Sequence, residues 1–200
     1  VKDGMLVGLG TGSTANYFID ELARLSREQG LKITTVASST ISAQKAQSLD
    51  LPIVALEHIS QIDLYVDGAD EISPDKTLLK GRGSDLVKEK LLAKAARQFI
   101  AVADASKLVD YIGQNFVIPI EVIPFAWQLA KKNLQDIGGQ GDLRQDRPDE
   151  LRDDDSVADR HLLRGRRRMS GWTKYPLSGP DNLVQPQEWL ELQLALAERA

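Results

Sequence analysis

Asp67-Gly-Ala-Asp-Glu71, then Lys80-Gly-Arg-Gly83, then Glu89, is the run of residues best equipped for chemistry. Two carboxylates stand where the apolar run Ile62-Asp-Leu-Tyr-Val66 ends, a lysine leads a glycine turn, and another carboxylate lies just inside the following helix. Such groups can open a sugar ring, move a proton beside a carbonyl and hold the negative charge that develops on oxygen. Taken singly they are ordinary: Asp67 and Asp70 could cap a turn, since Asp-Gly is a common turn dipeptide. Glu89 suits the first turn of any helix, and beside Lys88 and Lys90 it could be one charge on a solvated face. Their joint placement at strand ends is what suggests a site. Asp104-Ala-Ser-Lys107 adds a cation at the same edge.

Gly8-Leu-Gly-Thr-Gly-Ser-Thr14 is a second motif. A strand running through glycines into a helix brings backbone N–H groups and a helix N-terminus close to an anion. Thr11, Ser13 and Thr14 add hydroxyls. Gly8, Gly10 and Gly12 are too evenly spaced for a dinucleotide fingerprint, and the Gly-Lys-Ser/Thr of a P-loop is missing. A phosphate is the expected occupant, and the two motifs together point to a phosphosugar enzyme.

The elements that position these motifs alternate. Strands are expected at Met5–Leu9, Ile33–Val36, Pro52–Ala55, Ile62–Val66, Thr77–Leu79, Phe99–Val102 and Val117–Val122. Helices are expected from Ser13 to about Glu28, with Tyr17, Phe18, Leu22 and Leu25 as apolar positions, and over Ser42–Leu49, Ser84–Arg97 and Pro124–Ile137. Gly138-Gly139 ends the last. Strands alternating with helices predict an α/β fold, a mainly parallel sheet with helices on both faces and ligands at the carboxyl ends of its strands. From Asp142 to Arg168 the chain is dense in Asp and Arg without a periodic apolar face, and is expected to be irregular. A helix is expected again near Trp189–Leu196.

Composition narrows the classes. A hydrophobic fraction of 42% and a charged fraction of 27% are those of a globular protein. The net charge of −4 argues against a general nucleic-acid binder. With no cysteine, and only His58 and His161 well apart, no metal site is expected. No apolar stretch approaches the ~20 residues of a membrane span and no leader precedes the first strand, so a cytoplasmic location is expected.

Gly10 to Thr14, Asp67 to Glu71, Lys80 to Gly83 and Asp104 to Lys107 resemble, in order and spacing, the motifs of type A ribose-5-phosphate isomerases. The similarity runs from residue 1 to about 145, including Glu121-Val-Ile-Pro124. It implies a Rossmann-like catalytic domain over residues 1–122, then a partial or disrupted small α/β lid domain over 123–200. It implies interconversion of ribose 5-phosphate and ribulose 5-phosphate in the non-oxidative pentose phosphate pathway, with Glu89 as proton acceptor and Asp67, Asp70 and Lys80 as further catalytic groups. Substrate contacts are implied for Thr11, Gly12, Ser13, Thr14, Asp67, Gly68, Ala69, Asp70, Lys80, Gly81, Arg82, Gly83 and Lys107. A homodimer acting on a small phosphosugar without cofactor is implied, with no nucleic-acid or membrane partner. The chain departs from the family in lacking a helix ahead of the first strand, in the Asp/Arg-rich stretch, in the missing final strand and in Asp85, where the family tends to small residues. A truncated or frame-disrupted gene product would explain the departures other than Asp85. Two other readings stay open: a non-catalytic phosphosugar-binding module, and an inactive remnant of the isomerase.

Overall fold

The computed structural model describes residues 1–83, 85–143 and 161–165. In chain order the first elements are β1 (Leu6–Leu9), α1 (Ser13–Gln29), β2 (Thr34–Ala37), α2 (Thr40–Ser48), β3 (Ile62–Gly68), β4 (Glu71–Ile72) and β5 (Leu78–Leu79). Then follow α3 (Leu86–Ala95), β6 (Ala96–Val102), β7 (Ile118–Val122), α4 (Trp127–Asp136) and β8 (His161–Gly165). The main sheet is parallel, in the order β2-β1-β3-β6. The α/β reading therefore holds, with helices on both faces. On one face Val7 and Leu9 of β1 pack with Ile19, Leu22 and Ala23 of α1 and Ala46 of α2. On the other, Ile62 and Tyr65 of β3 pack with Leu92 of α3 and Phe99 of β6. Tyr65 and Phe99 stack with ring centroids 5.3 Å apart, a separation at which aromatic pairs add to simple burial.

α1 stops where Gly30 turns left-handed (φ +69°) and returns its N–H to Leu25, a conformation glycine adopts at no steric cost. Its buried face is Ala15, Ile19, Leu22 and Ala23. The sequence had suggested Tyr17 as an inward position, but Tyr17 is 76% exposed. The small side chains of Ala15 and Ala23 let the helix approach the sheet closely, and Tyr17 has no room on that face.

Several boundaries move for local reasons. α2 begins at Thr40, before the expected Ser42, because the Ser39 hydroxyl caps it by accepting from Ser42 N–H at 3.1 Å. The expected strand at Pro52–Ala55 shrinks to a bridge between Thr35 and Ile53; Pro52 has no N–H to give a ladder, and only its carbonyl accepts, from Thr35. β5 pairs antiparallel with β4 and stays out of the parallel sheet. α3 ends at Ala95, short of the expected Arg97, because β6 begins at Ala96, in register with Ile62.

The charged stretch differs from expectation. Residues 161–165, within the segment expected to be irregular, pair antiparallel with β7 from Val122↔His161 to Ile118↔Gly165. A ladder needs only backbone groups from its second strand, so a charged composition did not prevent it. Residues 144–160 and 166–168 of that stretch and the helix expected near Trp189–Leu196 lie outside the described residues. α4 follows a short 3-10 turn at Pro124–Ala126 and ends as expected, with Gly138 at φ +85° and the Gly138 and Gly139 N–H groups returning to Gln135 and Leu134.

The α1 register is testable by denaturation. Ile19, fully buried, should cost about 2–5 kcal/mol when changed to Ala. Tyr17→Ser should alter stability by less than about 0.5 kcal/mol. A large loss from Tyr17→Ser, or none from Ile19→Ala, would overturn this facing.

Candidate active site

At the carboxyl end of β3, Asp67 is fully buried and saturated with donors. Its Oδ1 accepts from the N–H groups of Thr11 at 3.1 Å and Gly68 at 2.7 Å. Its Oδ2 accepts from Lys80 Nζ at 2.8 Å and, in a very short contact, from the Tyr65 hydroxyl. Burial, and then the negative charge of Asp67, push the Tyr65 hydroxyl well above its ordinary pKa, so Tyr65 stays a donor.

Lys80 sits between carboxylates. Besides Asp67, its ammonium donates to the Gly68 carbonyl at 2.7 Å and lies 3.3 Å from Glu89 Oε2. Burial disfavours its charge, but Asp67 and Glu89 outweigh that penalty and hold its pKa above the usual lysine value. Glu89, its side chain only 8% exposed, lies on the inner face of α3 with Leu92. Burial pushes its carboxyl up; Lys80 opposes this, Asp67 and Asp85 add to it, and the net result is about 7. A carboxylate poised there is suited to take and return a proton near neutral pH.

The even spacing of the first glycines has a packing cause. Gly8 pairs with Tyr65 in the parallel register, and a Cβ on it would meet the Tyr65 ring at 2.6 Å. A Cβ on Gly10 would fall 2.2 Å from Asp67 Oδ1. Both glycines face β3 with the strand's period of two and leave room for the side chains that organise the site. Gly12, at φ +109°, begins α1 with no side-chain cap, and Gly12 and Ser13 are exposed. That uncapped helix start is therefore reachable from solvent at Gly12 and Ser13, and open N–H groups at a helix start favour an anion in general.

Thr11 is engaged elsewhere. Its N–H serves Asp67, and its hydroxyl lies 2.8, 2.7 and 3.2 Å from those of Ser38, Ser39 and Ser42. Asp70 Oδ2 accepts from Arg82 N–H at 3.3 Å, tying the acidic turn to the glycine turn. Gly81 is buried at φ +96°, with Leu86 where a Cβ would stand. Lys107 is half-buried in the turn after β6, one strand beyond β3. The structure thus groups Asp67, Gly68, Lys80 and Glu89, with Asp70 and Arg82 alongside, while Gly12 to Thr14 and Lys107 flank them at the same sheet edge.

Sequence reasoning missed Tyr65 and the serines. Tyr65 stands two residues before Asp67 on the same strand face, a legible signal; Ser38, Ser39 and Ser42 follow β2 at the same edge, and of these only Ser42 carries an expectation, as the start of a helix.

Residues 34–162 match the family described as Ribose 5-phosphate isomerase A (phosphoriboisomerase A). The chain is 45% identical over 145 residues to ribose-5-phosphate isomerase A of Wigglesworthia glossinidia brevipalpis, covering 72% of this chain and 65% of that one. It is 40% identical over 173 residues to that of Jannaschia sp. strain CCS1, covering 82% and 66%. The chain thus spans slightly under two thirds of the length of these relatives. Among solved structures, ribose 5-phosphate isomerase A from Methanocaldococcus jannaschii superposes with a TM-score of 0.76 at 34% identity, covering 85% of this chain and 75% of that one. A D-ribose-5-phosphate isomerase in complex with phospho-erythronic acid superposes with a TM-score of 0.74 at 36% identity, covering 82% and 72%.

The poise of Glu89 has a consequence for stability. Its folded pKa of about 7 lies above the ordinary 4.5, so between these values the folded state holds more protons than the unfolded one and stability falls as pH rises. Glu89→Gln imitates the protonated form. It should melt above wild type at pH 8, by a margin that shrinks as the pH falls toward 5. A margin independent of pH would mean that Glu89 does not titrate in this window.

Proposed function

The chain belongs to the ribose 5-phosphate isomerase A family, and from that premise we propose that it interconverts D-ribose 5-phosphate and D-ribulose 5-phosphate through an enediolate, with Glu89 as proton acceptor. The observation that carries this reading is Lys80, held 2.8 Å from Asp67 and 3.3 Å from a buried Glu89. A module that only bound phosphosugars would need no buried base beside a cation.

In the proposed reaction Asp67 assists ring opening and Asp70 places the sugar hydroxyls. Glu89 removes the proton from the carbon next to the carbonyl and returns it to the former carbonyl carbon, while the hydroxyl proton passes from one enediol oxygen to the other. The electron pair released passes into the carbonyl, and Lys80 with the N–H groups of Gly81 to Gly83 stabilises the resulting oxyanion. The uncapped α1 turn at Gly12 to Thr14 holds the phosphate, helped by Lys107. Thr11 contributes through Asp67 and the serine cluster. A phosphate fixed at one end of the sugar orients the reacting end. The phospho-erythronic acid bound by the solved relative has the same two poles, a phosphate at one end and a carboxylate resembling the two oxygens of an enediolate at the other. We further propose that residues 1–122 form the catalytic domain, that residues 123–200 are a reduced lid, and that the chain acts as a cytoplasmic homodimer; the family resemblance supports these points.

Three measurements test the reading. Glu89→Gln should lower turnover about 10²–10⁴-fold with substrate binding largely kept; an active variant removes Glu89 from its role. For wild type, kcat/KM should rise with pH, half-maximal near 7, and level off about one unit higher as Glu89 loses its proton. No alkaline loss should follow below pH ~10, because the Lys80 pKa is raised. Unphosphorylated ribose should bind far more weakly than ribose 5-phosphate in calorimetry, with inorganic phosphate competing; equal affinities would sink the phosphate assignment.

A further inference from the structure

Glu71 closes the acidic motif in sequence but takes no part in the Lys80 cluster. Fully buried, its Oε1 accepts from the N–H groups of Asn115 at 2.7 Å and Phe116 at 2.8 Å, and its Oε2 from that of Gly113 at 2.6 Å. Its neighbour Ile72 accepts from Val109 N–H at 3.0 Å and bridges to Leu108. Two consecutive residues of β4 thus anchor the loop that leads into β7.

From that anchor the segment 113–121 reaches the segment 80–89 twice. The Phe116 ring lies under the Arg82 guanidinium, 3.7 Å from its central carbon, within the range of a cation–π contact. Five residues on, Glu121 Oε2 accepts from Val87 N–H at 3.0 Å, one of the donors that the first turn of α3 leaves open. One contact lies two residues after Lys80 and the other two residues before Glu89. Between them the chain makes the tight turn at Gly81, and Asp85, adjoining Leu86, carries a second buried carboxylate.

We propose that Glu71, Phe116 and Glu121 are positioning residues: together they make segment 113–121 a strap that fixes the approach of Lys80 to Glu89. Asp85, whose charge helps push the Glu89 carboxyl up, lies between the two contacts, and the strap supplies hold from outside the turn. The catalytic arm of this inference rests on the isomerase reading; its structural arm does not.

The test uses the full chain with Phe116→Leu and Glu121→Ala, each removing one contact, and Phe116→Tyr, which keeps the ring face. Glu71→Gln, which puts an amide donor against backbone donors, serves as a fourth variant where it folds. If wild type isomerises ribose 5-phosphate, Phe116→Leu and Glu121→Ala should each lower kcat about tenfold with KM changed less than about twofold, and Phe116→Tyr should match wild type. Unchanged kcat overturns the strap and leaves the isomerase reading intact, as does a loss that merely follows the melting temperature. If wild type is inactive, the isomerase reading fails and amide hydrogen exchange decides the strap. Faster exchange confined to residues 81–89 in the two variants, with β1 and β3 unchanged, supports it. Exchange unchanged at 81–89, or accelerated everywhere, overturns it.

Discussion

The contact on which the rest of the site depends is the ammonium of Lys80 between the carboxylates of Asp67 and Glu89. Two carboxylates buried beside one cation cannot easily both be charged. The surroundings decide which one yields. Asp67 has donors on both oxygens, from Thr11, Gly68, Tyr65 and Lys80. Glu89 has the ion pair with Lys80, at a longer distance and without hydrogen-bond alignment at Oε2. Burial then pushes the Glu89 carboxyl up to about 7, and a carboxyl group that can gain and lose a proton near neutrality is the result.

Much of the surrounding architecture serves that asymmetry. For Asp67 to lie buried at the end of β3, the adjoining strand must leave space, and Gly8 and Gly10 leave it. The N–H of Thr11 must point toward the carboxylate, and the serines at the start of α2 hold the Thr11 side chain in that orientation. The glycine turn is thus built from two parts. Gly8 and Gly10 answer to β3, whereas Gly12 and the first turn of α1 face outward. A motif that reads as one phosphate loop divides its residues between the carboxylate of Asp67 and the exposed start of α1.

What could be read from the sequence follows from the range of each interaction. The parallel sheet was legible because strand and helix periodicities are local, and the acidic and glycine motifs because parallel strands bring their carboxyl ends to one edge. Tyr17 was misjudged because a helical pattern leaves the facing open by a residue or two, and the small Ala15 and Ala23 decide it only once the sheet is in place. The pairing of residues 161–165 with β7 was illegible because a ladder depends on an available partner backbone, which composition does not encode. The anchoring role of Glu71 was illegible because its partners, the N–H groups of Gly113, Asn115 and Phe116, lie more than forty residues on.

The placement of a single cation also bears on how the proposed reaction manages charge in a buried space. Before proton transfer, Lys80 faces Asp67 and an ionised Glu89. After transfer, Glu89 is neutral and a negative oxygen has appeared on the substrate. The number of negative charges around the ammonium is unchanged; one has moved from the protein to the enediolate. No new charge has to be buried, which in a poorly solvated site would be costly. Lys80 exchanges one partner for another with little motion, since its tether to Asp67 and the Gly68 carbonyl stays in place throughout. The same reasoning explains why the poise of Glu89 matters in both directions. A more strongly held proton would leave too little base at neutral pH, and a more weakly held one would remove the drive for the carbon-bound proton to transfer. Burial of Glu89 sets that balance against its partial pairing with Lys80, so the distance between those two side chains is the quantity the surrounding fold must hold steady.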